Sequence, residues 1–219
     1  MENSEIIDAI WSISRYHGNT IGEIFQLSEE YPQISTSMLF LILENACRIK
    51  LDDFQTTSIS KLYIKLNEQG LLSDGELQFI NNKENSLRII RNKMAHRNVI
   101  KHSFIVDEDG REIFYPFTEK TTWKYFFNKY SNVILSIIYN LFCSDILGYS
   151  PIDTSSQLSK NKIILKELSV KDIFKLKGFS DDDINKIISV TTSESEQYIL
   201  AENASDINLL SSVFKNLFK

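Results

Sequence analysis

The sequence predicts an all-α fold, an antiparallel helical bundle with one small β-hairpin insertion and a helical C-terminal appendage. Only 7 of the 219 residues are glycine and 3 are proline, too few for the frequent turns of a β-sandwich or barrel. Apolar residues make up 42% of the chain, which is enough to offset the chain entropy of folding and excludes intrinsic disorder. The length fits one domain with a small addition.

Two helices are predicted before the first proline-containing turn. Apolar residues at helical spacing predict the first over residues 4–15, and His17-Gly18-Asn19-Thr20 is expected to interrupt it. A short helix over residues 21–27 follows, and we expect Pro32 to end this region.

A third helix is predicted from about Met38 to Lys50, with N-capping candidates among Ser35, Thr36 and Ser37. It is apolar nearly all round, which indicates a central, buried position. Glu44 is part of its first polar interruption, and we expect this side chain at the edge of the core, paired with a neighbour.

The middle of the chain predicts more helix. One helix covers residues 60–69 and ends at Gly70. Ser73-Asp74 is typical of another helix start, and helix is expected from there to about Val99, with a break near Asn81-Asn82.

A change of apolar period then predicts the β-hairpin. Residues 103–106 and 112–115 flank the turn-rich sequence 107–110, for which a turn is a better interpretation than a calcium loop. A lone hairpin is marginal, so it must pack on the helices. Thr121-Thr122 then precede a long apolar helix.

Gly148 to Gln157 is the best candidate for a domain boundary, because it combines glycine, proline and a polar run without periodicity. The expected division is residues 1–148, the bundle, and residues 149–219, a small helical domain. Two short helices are predicted around Gly178, and residues 206–218 form a last amphipathic stretch. Three aspartates, 181–183, open the second short helix, which argues against DNA reading and favours packing, dimer extension or partner binding.

Several site classes are not indicated. Cys47 and Cys143 lie in apolar stretches and are expected to be reduced core thiols, and no spacing suggests a metal or other cofactor. The acidic N-terminus does not resemble a signal peptide, and the longest apolar run, Met38 to Leu43, is far shorter than the roughly 20 residues of a membrane helix. A cytoplasmic protein with no membrane partner is expected.

The segment that is most informative about function is positively charged, although the chain as a whole is acidic. Residues 83–101 contain six basic side chains and one acidic side chain, Glu84, although the whole chain has a net charge of -5. The basic residues are Lys83, Arg88, Arg91, Lys93, Arg97 and Lys101. This local excess indicates a local anionic ligand rather than a long nucleic-acid groove, and the alternative on charge alone is a solvated helix face.

Helical geometry divides this segment into two faces. At about 100° per residue, Leu87, Ile90 and Met94 face the core, whereas the opposite arc carries Arg88, Arg91, Asn92, Ala95 and His96. Asn92 and His96 are about 40° apart and can touch. Arg91 and His96 differ by about 140°, so a site using both needs a distorted helix or a second copy of the chain.

Arg91-Asn92 followed by His96, within the phrase "RN..AH", resembles the signature of HEPN domains. The likeness extends to the layout of residues 1–147, including the apolar helix that carries Glu44. The resemblance implies metal-independent RNA cleavage by a homodimer, with two motif helices facing each other across a cleft. It assigns catalysis to Arg91, Asn92 and His96, and we expect Arg88, Lys93 and Arg97 to bind RNA.

The side chains suit this chemistry. An imidazole with a pKa near 6.5 exchanges a proton near neutral pH, which suits His96 as general acid or base at a ribose 2′-hydroxyl. The guanidinium of Arg91 matches the phosphate oxygens on which charge builds up, and Asn92 orients His96 or a phosphate.

Similar proteins often act as toxins or anti-phage, abortive-infection effectors, so a neutralising or regulatory protein partner is a further expectation. In a subset of the family a modified tyrosine lies two residues after the histidine. Asn98 holds that position here, so regulation at that tyrosine is not supported. The alternative is a non-catalytic HEPN-like module that binds RNA or protein.

Overall fold

The computed structural model describes residues 1–54, 58–95, 101–108, 111–160, 163–191 and 193–204. Most of these residues are helical, which confirms the mainly helical class, and a small antiparallel sheet accompanies them. The helices are α1 (Asn3–Ile13), α2 (Arg15–Leu27), α3 (Pro32–Leu51), α4 (Ile59–Glu68), α5 (Asp74–Asn81), α6 (Leu87–Ala95), α7 (Lys120–Cys143), α8 (Ser155–Lys160), α9 (Val170–Leu176), α10 (Asp181–Val190) and α11 (Glu194–Asn203). The strands are β1 (His102–Glu108), β2 (Arg111–Pro116) and β3 (Leu165–Glu167).

The first two helices meet at Ser14, so the predicted interruption at His17–Thr20 is wrong. Those four residues lie inside α2. Gly18 has a different role, because a Cβ atom built on it would lie 2.4 Å from the Cβ of Trp11. The glycine therefore allows α1 and α2 to cross closely instead of breaking the helix.

Helix α3 begins at Pro32, six residues before the predicted start at Met38. Proline suits the first turn because its missing N–H has no partner there. Thr36 is not a cap, since its hydroxyl donates to the carbonyl of Pro32 at 2.7 Å within the helix. The helix is also less buried than predicted: Ile34 and Leu41 are each more than half exposed.

Helices α4 to α6 agree with the expected pattern. Gly70, at φ +72°, follows α4 in the left-handed region. Ser73 and Glu76 form a capping box at the start of α5. The break near Asn81-Asn82 is confirmed, because α5 ends at Asn81 and α6 starts at Leu87.

The hairpin is confirmed, but it belongs to a three-stranded sheet in the order β2-β1-β3. The third strand, which the sequence did not predict, pairs Leu165 with Phe104 and Glu167 with His102. The ring of Phe104 stacks on Phe126 of α7 at a centroid distance of 4.9 Å. The hairpin therefore packs on the bundle, as its marginal stability requires. Its turn residues Asp109 and Gly110 lie outside the described residues.

The buried side chains form two apolar clusters. The larger gathers α1 to α7 around α7 and includes the free cysteines Cys47 and Cys143, both buried as expected. The smaller joins α9, α10 and α11, and its buried members are Leu168, Val170, Ile173, Phe174, Ile184, Tyr198 and Ala201. The two helices predicted around Gly178 are confirmed as α9 and α10, with Ser169 and Ser180 as N-caps. Helix α11 was not predicted.

The residues just after position 148 pack on the larger cluster. Tyr149, Ile152 and Leu158 contact it, and helix α8 forms where the sequence indicated a linker. The change from one cluster to the other comes between Leu165 and Leu168. The division into residues 1–148 and 149–219 therefore does not coincide with the two cores and stays a prediction.

The amphipathic stretch 206–218 lies outside the described residues. Within the described ranges, no helix combines the length and apolar character needed to cross a membrane.

Candidate functional site

Helix α6 presents one apolar and one polar face. Leu87 and Ile90 are buried in the larger cluster, and Met94 packs partly against it, as the helical periodicity predicts. Ser86 begins the helix, since its hydroxyl accepts a hydrogen bond from the amide of Ile89 at 3.4 Å. The predicted separation of the two faces is therefore confirmed as far as Ala95.

Arg91 is held by a carboxylate from another helix. Its Nη2 lies 3.3 Å from Oε2 of Glu44 on α3, and its Nη1 lies 3.5 Å from Oδ1 of Asn92. The Arg91 side chain remains 42% exposed, against 18% for Glu44. The ion pair thus orients the guanidinium and leaves it accessible to an anionic ligand.

The same carboxylate holds a second guanidinium. Nη2 of Arg48 lies 3.1 Å from Oε1 of Glu44, one helical turn away on α3. Glu44 is thus paired with a neighbour, as expected, but it also connects α3 to α6. Arg48 was not among the predicted site residues, although its i, i+4 spacing from Glu44 was a usable signal.

A small cavity lies beside this ion-pair group. Phe40, Leu43 and Tyr63 line it together with Glu44, Arg88 and Arg91. Burial raises the pKa of Tyr63 well above its usual value, and Cys47 and Glu44 add to this, although Arg91 and Arg88 oppose it. The phenol therefore stays neutral and is no base at physiological pH.

The flanking basic residues differ in how they are held. Nε of Arg88 donates to Oδ1 of Asn81 at 2.7 Å, and Asn81 in turn donates to the carbonyl of Ser60 at 3.2 Å. Arg88 is thereby tied to α4 and α5, with its side chain partly exposed. Lys93, near the end of α6, is also partly exposed.

His96 and Arg97 lie outside the described residues, so of the three predicted catalytic residues the structure brings together Arg91 and Asn92. The exposed Ala95, the last residue of α6, directly precedes His96. The next described residues are Lys101 and the buried His102. Burial lowers the pKa of His102, and Lys93 and Lys101 lower it further against the opposing effect of Glu167.

A larger cavity of about 810 Å³ lies between α5 and α8. Gln78, Phe79, Leu158 and Ile163 are among its lining residues. The sequence did not predict this cavity, because the apolar, amide and hydroxyl side chains that line it, with Asp74, form no recognisable motif. In the part of the chain that the structure describes, no three His, Cys, Asp or Glu side chains are grouped to hold a metal ion.

The described site is a group of basic side chains around one carboxylate. Glu44 pairs with both Arg91 and Arg48, and Arg88 and Lys93 add positive charge on α6. The partly exposed guanidinium of Arg91 has the charge and shape that suit an anionic ligand such as a phosphate. The guanidinium groups of Arg91 and Arg48 cannot act as bases, so proton transfer needs another group.

Comparison with protein-family models, with curated proteins and with solved structures finds no match to this chain.

Proposed function

We propose that this protein is a metal-independent endoribonuclease of the HEPN type that acts as a homodimer. The observation that carries the proposal is the guanidinium of Arg91, oriented by Glu44 and accessible on the polar face of α6. Its neighbour Asn92 completes the Arg-Asn pair, and His96 follows four residues after Asn92 in the sequence.

In this mechanism His96 exchanges a proton with the ribose 2′-hydroxyl or with the leaving oxygen. The attack forms a bond from the 2′-oxygen to phosphorus and breaks the bond to the 5′-oxygen, which leaves a 2′,3′-cyclic phosphate. Arg91 stabilises the charge that develops on the non-bridging oxygens, and Asn92 orients the imidazole or a phosphate oxygen. Arg88, Lys93 and Arg97 bind the flanking RNA backbone.

The proposed dimer is one of two ways, beside a distorted helix, to bring Arg91 and His96 to one site. Side chains five residues apart on one straight helix point about 140° apart, so Arg91 and His96 of one copy do not converge easily. Two facing motif helices bring Arg91 of one protomer to His96 of the other. A role as a toxin or anti-phage effector, with a neutralising protein partner, is part of the proposal and rests on the resemblance alone.

The main experiment measures cleavage of labelled single-stranded and hairpin RNAs in EDTA. We expect His96→Ala and Arg91→Ala to reduce the rate at least about 100-fold while the fold persists. Arg15→Ala is the matched control. This exposed arginine belongs to α2, not to α6, and its guanidinium lies over the ring of Trp11 on α1. Its rate should equal that of the wild type.

Mixing the two inactive variants tests the shared site. A heterodimer of Arg91→Ala and His96→Ala chains retains one intact pair, so an equal mixture should recover about a quarter of the wild-type activity. A wild-type chain that binds these RNAs without cleaving them would support the binding-module alternative and contradict the nuclease. Activity that survives in both variants would come from another site or a contaminant.

A further inference from the structure

The segment Ile164–Leu168, which contains β3, contacts the chain on both sides of α6. On the N-terminal side, the amide of Leu165 donates to Oδ1 of Asn85 at 2.8 Å, two residues before α6 begins. Beyond the other end of α6, the amide of Leu168 donates to the carbonyl of Lys101 at 2.6 Å. One short segment therefore joins the entry to α6 with the chain that follows the His96 region.

The contact at Asn85 is firmly placed. The amide of Asn85 donates to Oδ1 of Asn82 at 3.1 Å, and the hydroxyl of Ser86 donates to the Asn82 carbonyl at 2.7 Å. Leu165 packs partly against the larger apolar cluster, so its bond to Asn85 is partly shielded from water. Such a bond holds the start of α6 at one position relative to the sheet.

The C-terminal helices hold the other end of this segment. The hydroxyl of Tyr198 on α11 donates to the carbonyl of Leu168 at 2.8 Å, and the Tyr198 ring lies 4.2 Å from Nζ of Lys101. Glu194 adds an ion pair to Lys101 at 3.7 Å. Lys101 is thus contacted through both its backbone and its side chain.

Helix α6 needs such support, because it is nine residues long and buries only Leu87 and Ile90 fully. We propose that the segment Ile164–Leu168 is a brace that positions α6 for the reaction, with Asn85 as a positioning residue and α9–α11 anchoring the brace. This inference rests on the proposed function. Catalytic groups must be placed to within about 1 Å, and a polar helix with little buried surface does not achieve this alone.

The test compares Asn85→Leu with Asn85→Asp. Leucine removes the acceptor for the Leu165 amide, whereas aspartate keeps a side-chain oxygen there. We expect Asn85→Leu to lower kcat about tenfold with KM nearly unchanged, and Asn85→Asp to stay within about twofold of the wild type. Hydrogen exchange should show faster exchange of the Leu165 amide and of the α6 amides in Asn85→Leu, and near-normal protection in Asn85→Asp.

A second variant, Tyr198→Phe, removes the bond to Leu168 but keeps the ring over Lys101. A smaller change in the same direction, in both exchange and kcat, supports the brace. Unchanged α6 exchange in Asn85→Leu, or an unchanged or increased kcat, overturns it, and an increase would indicate that the tail inhibits the enzyme. If the wild-type chain cleaves no RNA, the proposed function fails, and the α6 exchange alone decides whether the brace exists.

Discussion

Helices α6 and α7 belong to the same bundle but are specified in different ways. Helix α7 has 24 residues and is buried on several sides, including the polar Ser131 and Ser136. Helix α6 has nine residues, and its polar side chains are held by Glu44 and Asn81 rather than by packing. Packing in the core therefore explains the apolar residues of α7, but it does not explain the basic residues on the polar face of α6. A polar face that packing does not require is a candidate for a functional site.

The largest effect on stability is expected in α7. Phe126 is 1% exposed and contacts the rings of Phe104 and Tyr130, so Phe126→Ala should lower the free energy of unfolding by about 3–5 kcal/mol. Arg91→Ala on α6 should change it by less than about 1 kcal/mol, because Arg91 is partly exposed and Glu44 keeps its ion pair with Arg48. Urea unfolding of both variants measures the contrast, and equal losses would contradict it.

A glycine pair tests the close packing of α1 against α2, where a smaller effect is expected. Gly18→Ala places a Cβ against the backbone of Trp11 and should destabilise the protein by about 1–3 kcal/mol. Gly22→Ala has nothing within 4 Å of the new atom, so it should be neutral or stabilise by up to about 1 kcal/mol through helix propensity. Thermal unfolding compares them, and a stable Gly18→Ala would show that the two helices can separate without cost.

Two buried histidines are expected to make the stability of the protein depend on pH. His17 contacts Phe142 of α7 and Oγ of Ser14, and burial lowers its pKa. The pKa of His102, near Lys93 of α6, is lowered by burial and by nearby lysines. Because the unfolded state binds more protons than the folded state as these histidines titrate, their contribution to the free energy of unfolding is complete above a pH of about 6.5. It decreases as the pH falls below that value.

Urea unfolding at pH 7.5 and 5.5 measures this decrease. In His17→Gln the loss between the two pH values should be smaller than in the wild type, and His102→Gln should behave likewise. A wild-type loss that neither variant reduces would show that carboxylates alone cause it.

A small effect on stability, and a larger one on activity, is expected at the connection between α3 and α6. Glu44→Gln keeps the shape of the side chain and removes its charge, so the free energy of unfolding should fall by about 1 kcal/mol, because Arg48 and Arg91 lose the carboxylate that they share. The orientation of Arg91 should suffer more, and RNA cleavage should fall about tenfold. Glu29→Gln, at an exposed ion pair with Lys124, is the control and should leave cleavage unchanged.

The sequence predicted those elements that depend on residues close together in the chain. The dense apolar residues of α7, the alternation in the hairpin and the capping box at Ser73 were each readable from the sequence. Strand β3 was not, because three residues carry no period and its partner strand lies some sixty residues earlier. Helix α11 was missed because its apolar residues form one short run rather than a stripe.

The candidate site shows the same limit. Periodicity correctly placed Leu87 and Ile90 inside and Arg91 outside. The Arg91–Glu44 ion pair joins residues 47 positions apart, and no local rule identifies such a partner. A partner for Glu44 was expected but could not be identified, because the direction in which α6 crosses α3 depends on the packing of the whole bundle.

The place of β1 in the middle of the sheet has a consequence for folding during synthesis. Translation delivers β1 and β2 well before β3, so a nascent chain holds a hairpin with one open hydrogen-bonding edge. That edge closes only when residues 165–167 have left the ribosome. Until then it is exposed to pairing with other chains, and a ribosome that stalls in this interval would display a strand edge prone to aggregation.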